Sequence, residues 1–287
     1  IEVRKDTFDH FFEVMGEVHA QKNVLLLPET QGIIEKILVK EGQQVSKGEL
    51  LVQLDGDILL NNINELKSQL DLAKTIYEKR KTLWDKNIGS EVEFLQAQNN
   101  KESLEARLKA LEVQYEFTQV RAPFAGYVDN IPAKVGEMAS PAMPLLRLIS
   151  LDDVYVRADV SERYLVEVNK GTYVDVHFEN VNIHLPAQIG QVGNYIKPEN
   201  RTFQVRVELE NPDRLLKPNL LADLYIRDYR NEDALVLPSR VIQQSPDGRS
   251  FVYLYEKIDD KKGQIVRRFI ETGLSYQGRT EVVKGLK

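Results

Sequence analysis

The chain has 287 residues, 42% of them hydrophobic and 29% charged, with a net charge of −6. That length suits about two ordinary domains, and that balance belongs to a folded chain rather than a disordered one. No long Lys/Arg block offsets the acidic excess, so a nucleic-acid partner is not expected. No apolar run approaches the ~18 residues of a membrane-spanning helix. Cysteine is absent, which removes disulfides, thiol catalysis and cysteine metal sites and suits an oxidising compartment. The sequence opens on Ile1 rather than Met. The expectation is that a leading segment is missing, and with it a signal peptide or a membrane anchor.

Residues 8 to 27 alternate as strands do. Phe12, Val14, Gly16 and Val18 share one face, and Val24 to Leu27 form a short apolar run. A small β unit follows, from Pro28 through Gly32-Ile33-Ile34 and Glu41-Gly42 to Gly48 and Leu51-Val52-Gln53-Leu54. The same pattern returns from Pro123 through Gly126-Tyr127-Val128 and Val135-Gly136 to Ala142 and Leu145-Leu146-Arg147-Leu148. Gly32 to Gly42 and Gly126 to Gly136 are both ten residues, and Gly42 to Leu54 and Gly136 to Leu148 are both twelve. Matching without a gap predicts two copies of one unit that pair with each other. Gly32, Gly42, Gly48, Gly126, Gly136 and Pro218 are read as the structural turn positions; Gly42 and Gly48 in particular sit where a tight turn needs positive φ.

Between the copies the apolar period changes from two to three-and-a-half. Leu59, Ile63, Leu66, Leu70, Ala73, Tyr77 and Trp84 form a coiled-coil seam in which Arg80 is out of type. Asn87-Ile88-Gly89 breaks the helix, and Ser90 with Glu93 reads as a capping box for a second one. Phe94, Ala97, Leu104, Leu108, Leu111 and Tyr115 continue the seam, with Lys101 its exception. So short a connection makes the helices antiparallel. At ~1.5 Å per residue the hairpin is roughly 45 Å long, and its ends must leave and re-enter the β unit at adjacent points. The period then returns to two. Strands are predicted at 154–160, 174–178, 188–192, 203–209, 222–226, 235–237, 251–255, 265–271 and 281–283, with a short helical turn capped by Ser161. Turn signals stand at Pro246-Asp247-Gly248 and Lys262-Gly263.

The chain resembles the periplasmic adaptors, or membrane fusion proteins, of tripartite efflux pumps. The resemblance rests on the split repeats, which are similar to the halves of a lipoyl domain, on the intervening coiled coil, and on the β segments after it. Leu215-Leu216-Lys217-Pro218-Asn219-Leu220 is similar to the family's Leu-Lys-Pro-Gly-Met turn, with Asn219 in place of glycine. The family's hairpin-tip pattern Arg-x3-Leu-x6-Ser, found in adaptors of resistance–nodulation–division transporters, reads here as Lys79, Leu83 and Ser90, with Arg80 beside the substituted lysine. Lysine keeps the charge and loses the bidentate fork.

The resemblance implies a mostly β, elongated multidomain fold with an inserted helical hairpin. It divides the chain into a membrane-proximal β domain (1–14 and 232–287), a β-barrel (15–23 and 151–231), a lipoyl-like sandwich (24–56 and 119–150) and the hairpin (57–118). It implies a non-enzymatic adaptor in the periplasm of a Gram-negative bacterium, attached to the inner membrane through the missing N-terminus. The partners implied are an inner-membrane transporter of the resistance–nodulation–division type, an outer-membrane channel met by Lys79, Arg80, Leu83 and Ser90, and further copies of the chain, as a hexamer. An adaptor of an ABC-type exporter is one alternative, and a lipoyl or biotinyl carrier is another. The carrier reading needs a lysine on the turn joining the two halves, and the coiled coil occupies that turn.

No cofactor and no metal are expected. His10, His19, His177 and His184 are read as far apart, none sharing a helical or strand pair spacing with a second ligand type, and the three methionines do not cluster. No Gly-x-Ser-x-Gly, phosphate loop or dinucleotide fingerprint occurs, and no carboxylate pair is set up for acid–base chemistry.

Overall fold

A computed structural model describes residues 5–257 and 263–286. The expected turn at Lys262-Gly263 therefore lies partly outside the described residues. The chain begins with β1 (Lys5–Ala20), β2 (Asn23–Leu26), β3 (Gly32–Ile37), β4 (Gln44–Val45) and β5 (Leu50–Leu54). It leaves along α1 (Asp57–Asp85), returns along α2 (Glu91–Glu116), and adds β6 (Gln119–Arg121), β7 (Gly126–Asn130), β8 (Met138–Ala139) and β9 (Leu146–Ile149). There follow β10 (Asp153–Ser161), β11 (Tyr173–Phe178), β12 (Ile183–Lys197), β13 (Thr202–Glu210) and β14 (Leu221–Pro238). The last strands are β15 (Gln243–Gln244), β16 (Ser250–Lys257), β17 (Gly263–Phe269), β18 (Glu271–Tyr276) and β19 (Arg279–Lys284). The fold is mostly β with one inserted helical hairpin. It divides into two compact units, one of residues 21–151 and the other of 1–20 with 152–287.

In the 21–151 unit the two sequence repeats exchange strands. One sheet runs β2-β9-β7-β4 and the other β6-β5-β3-β8. Each half thus lends its short strand to the other: β4 pairs with β7, and β8 pairs with β3. The amide of Gly42 donates to the Val128 carbonyl at 2.7 Å, and at the equivalent place the amide of Gly136 donates to the Ile34 carbonyl at 2.9 Å. Between the sheets Leu51, Val52, Leu54, Val128, Leu146 and Leu148 are fully buried. Each such side chain contributes about 1.5–3 kcal/mol.

Gly42, Gly48 and Gly136 have φ of 79°, 84° and 89°. Gly32 and Gly126 differ from the turn role expected of them, because both open strands and neither has a left-handed φ. At Gly126 the reason for glycine is proximity: a Cβ there would lie 2.5 Å from the Ile149 carbonyl oxygen. At Gly32 a Cβ would make ordinary contact, 3.4 Å from Leu54 Cβ.

In the other unit β1, β10, β13, β12, β11 and β14 form a closed ring, since β1 also pairs with β14, and β19 and β18 extend the sheet from β14. Val18, Val156, Val174, Phe178, Phe203, Val207, Leu224 and Ile226 fill the barrel. Asn219 has φ of 68° after Pro218, and the Leu220 amide donates to the Lys217 carbonyl at 3.1 Å. The Pro-Asn pair thus forms a turn with proline at its second position and the left-handed residue at its third. A smaller core of Leu237, Val252, Ile270 and Val282 lies beyond the barrel.

Several elements depart from the sequence expectation. Residues 222–226 and 235–237 belong to one eighteen-residue strand, β14. It pairs along β1 with register shifts at Asp6/Phe8 and His10/Phe11, and the polar run Arg227 to Asp233 between its apolar ends hides the continuity. The stretch 265–271 is divided between β17 and β18. After Ser161 there is a single turn of 3₁₀ helix, Glu162–Tyr164, with no side-chain cap bond.

A hairpin tip with an exposed apolar end

α1 and α2 grow out of the β unit at one point. The Leu54 amide donates to the Thr118 carbonyl at 2.8 Å, and the Thr118 hydroxyl donates to the Tyr115 carbonyl at 2.7 Å. Gly56 precedes α1, and a Cβ there would come within 2.9 Å of the Tyr115 ring. Ile63, Leu66, Leu70 and Ala73 are buried along α1, whereas no residue of α2 is fully buried. Toward the tip the seam becomes aromatic: Phe94 stacks on Tyr77 at 5.8 Å and on Trp84 at 6.1 Å.

Both charged exceptions in the seam have partners. Lys101 Nζ lies 5.1 Å from the Tyr77 ring centroid, a cation–π geometry. Arg80 Nη1 donates to Glu93 Oε2 at 2.5 Å. Glu93 is therefore not half of a capping box. Ser90 takes the extended N-cap conformation, φ −95° and ψ 131°, without a side-chain cap hydrogen bond. The guanidinium offers Glu93 a charged donor, which is stronger than a backbone amide.

α1 ends on a left-handed residue. Asn87 has φ of 57°; its amide donates to the Trp84 carbonyl, and the Ile88 amide donates to the Leu83 carbonyl at 2.9 Å. This pair of bonds is a Schellman motif with asparagine in the usual glycine place. Gly89, at φ of 110°, then turns the chain into α2. Of the expected contact residues, Lys79, Leu83 and Ser90 are exposed, and Arg80 is half-buried by its ion pair. The tip also presents side chains that the periodicity did not single out. Ile88 is 56% exposed and Val92 62%, with Leu95 and Trp84 exposed beside them. Ile88, Val92 and Leu95 fall outside the a/d seam, so only their position near the turn marks them, whereas Trp84 is a seam residue that stays partly exposed. These apolar side chains are exposed close together at the end of the hairpin.

Elsewhere, His177 and His184, on consecutive strands, are direct cross-strand partners with ring centroids 4.1 Å apart, and His177 Nε2 is 2.9 Å from Asp175. The β11–β12 pairing brings them together, so the sequence reading of four separate histidines is corrected here. Among the described residues no group of three or more His, Cys, Asp or Glu could hold a metal ion. Burial and the nearby Arg157 lower the His19 pKa, against a smaller opposing effect of Glu17. Burial, foremost, raises the Tyr225, Tyr229 and Tyr276 hydroxyls above their usual value.

Residues 153–229 match the model of the CusB-like β-barrel domain, and residues 62–114 match that of the CzcB-like α-helical hairpin domain. Over 291 residues the chain is 24% identical to the cation efflux system protein CzcB of Alcaligenes sp. (strain CT14), covering 95% of this chain and 54% of that protein. It is also 24% identical, over 300 residues, to the efflux pump periplasmic linker BepF of Brucella suis biovar 1 (strain 1330), covering 95% of this chain and 71% of BepF. The chain thus spans about half the length of CzcB. Among solved structures, a MacA–MexA chimera with the Pseudomonas aeruginosa MexA α-hairpin superposes with a TM-score of 0.78 at 19% identity, over 99% of this chain and 96% of the chimera. The barrel and the hairpin each match a domain model of the adaptor class, and the split β unit flanks the hairpin in sequence, in a fold shared with the chimera. Over nearly its whole length the chain is thus similar to the periplasmic adaptor, or membrane fusion, proteins of efflux systems, and its two matched domains are of types found in adaptors of resistance–nodulation–division transporters.

Proposed function

We propose that this chain bridges an inner-membrane transporter of the resistance–nodulation–division type and an outer-membrane channel, as the periplasmic part of an export conduit. The hairpin, residues 57–118, acts as the arm that reaches the channel. The lipoyl-like segments 24–56 and 119–150 pack against further copies of the chain in a ring, a hexamer on this reading. The barrel (15–23 and 151–231) and the membrane-proximal segments (1–14 and 232–287) engage the transporter, with attachment to the inner membrane at the N-terminal side. The relatives' printed names, a cation efflux system protein and an efflux pump periplasmic linker, support this reading.

The observation that carries it is the hairpin tip. Leu83, Ile88 and Val92 are exposed together around a turn fixed by backbone hydrogen bonds. A helical partner could bury them in a groove, with Lys79 and Arg80 at the rim and Ser90 small enough for close approach. Leu83→Glu places an unpaired charge in that joint, which costs several kcal/mol when desolvated. Export in cells, measured with expression level and melting of the purified variant, tests the reading. Loss of export with unchanged folding is expected. A Leu83→Glu protein that is folded, expressed and fully active rules the tip out as the docking site.

A further inference from the structure

The three-stranded sheet β15-β16-β17 has two unlike faces. Along β16 and β17, Phe251 opposes Phe269, Tyr253 opposes Arg267 and Tyr255 opposes Ile265. Strand alternation puts these six on one face and Val252, Leu254 and Val266 on the other. The second face is accounted for, since Val252 and Leu254 pack with Leu237, Ile270 and Val282. On the first face Tyr253 is 57% exposed, Tyr255 70% and Ile265 73%. A Cβ at Gly263 would lie 2.2 Å from the Tyr255 ring, so the missing side chain is what lets that ring lie along the strand surface.

Among the described residues of β16 and β17, the charge on this face is cationic. None of the six residues is acidic. Arg267 lies 5.3 Å from the Phe251 ring centroid and 5.1 Å from that of Phe269, and it has no ion-pair partner among the described residues. Arg249, paired with Asp247, sits over Phe269 at 4.1 Å. On a chain of net charge −6, a face of tyrosine, isoleucine and an arginine without an ion-pair partner among the described residues is cationic and amphipathic over those residues. Tyrosine, with an apolar ring and a polar tip, is favoured at the lipid–water boundary, and arginine keeps its charge at headgroup level while its stem lies on apolar surface. A second copy stacked on the face would bring the two copies' Arg267 side chains toward each other.

We propose that this face rests on an anionic phospholipid surface, with Tyr253, Tyr255 and Ile265 at headgroup depth and Arg267 against the phosphates. The contact is peripheral and salt-sensitive. It is independent of the docking assigned to the hairpin tip, which uses none of these residues.

The test is co-sedimentation of the full chain with vesicles of phosphatidylcholine alone and with about one-third phosphatidylglycerol. Binding to the anionic vesicles only, weakened by salt, is expected. Tyr253→Ser with Tyr255→Ser, and separately Arg267→Glu, should each weaken it about tenfold with melting unchanged, since all three side chains are exposed. The emission of Trp84, the one tryptophan in the chain, should not move, because it belongs to the hairpin tip. Absence of vesicle binding overturns the proposal. So does equal binding to both vesicle types, a shift of Trp84 emission on binding, or full binding by both variants. A dimer in sedimentation velocity that the same substitutions dissolve would make the face a self-contact instead.

Discussion

Arg80 and Glu93 join the two helices of the hairpin just below its tip, Nη1 to Oε2 at 2.5 Å. The pair accounts for two features at once: a basic residue in an apolar seam, and an acidic residue drawn away from Ser90. Both side chains remain about half-exposed, so solvent screens the interaction. Such pairs are worth roughly 0.2–1 kcal/mol. Arg80→Ala and Glu93→Ala should each lower stability by less than about 1 kcal/mol in urea unfolding, and the double variant should lose no more than the larger single loss. Additive losses would mean the two residues act separately.

The repeat predicts unequal costs at equivalent positions. Gly126→Ala forces a methyl to within 2.5 Å of a backbone oxygen, whereas Gly32→Ala makes an ordinary 3.4 Å contact. The first should cost about 1–3 kcal/mol and the second less than about 1 kcal/mol. Equal losses in urea unfolding would show that the two halves are packed alike at this point.

Much of this architecture can be read in the residues. The ten- and twelve-residue glycine spacings signal paired half-units, and the seam from Ile63 to Ala73 signals the hairpin. The strand exchange between halves is less legible, because Gln44-Val45 and Met138-Ala139 are too short to show a period. The continuity of β14 is masked by solvent-facing polar residues between its apolar ends. The opposition of His177 and His184 depends on a register that only pairing sets. At the tip, Ile88 and Val92 lie off the seam, and periodicity describes only what a helix buries against its partner.

Excision of the hairpin should leave the β unit folded. Residues Leu54 and Thr118 are already joined by a 2.8 Å backbone hydrogen bond, and the core of that unit is built from both repeats without the helices. Replacing 57–116 with a short Gly/Ser loop should keep cooperative unfolding and β-type circular dichroism. Loss of both would show that the helices are needed to bring the halves together.

His19 supplies a pH dependence. Its ring stacks on Tyr155 at 5.5 Å, and burial and Arg157 hold its pKa below the ordinary value. The unfolded chain therefore takes up the proton first as pH falls. Stability is full above the ordinary histidine range and declines as pH drops through it. Asp247, held at about 2 first by Ser245 and then by Arg249, does not titrate in that window. The melting temperature should fall between about pH 7.5 and about pH 5.5, and less steeply for His19→Gln. Parallel curves for the two proteins would remove His19 as the source.

Ser90 gives the sharpest separation of stability from contact. It occupies the N-cap of α2, yet its hydroxyl makes no cap hydrogen bond. A working serine cap is worth ~1 kcal/mol, and that value should be largely missing here. Glu91 and Glu93 in the first turn still favour the helix through its positive end. Ser90→Ala should therefore shift unfolding by no more than about 0.5 kcal/mol. The substitution then reports on close approach at the tip, since alanine keeps the small size and removes only the hydroxyl. Retained export for Ser90→Ala with lost export for Ser90→Trp would assign Ser90 a steric role in docking. A full cap-sized loss of stability in Ser90→Ala would show that the hydroxyl caps α2 in solution.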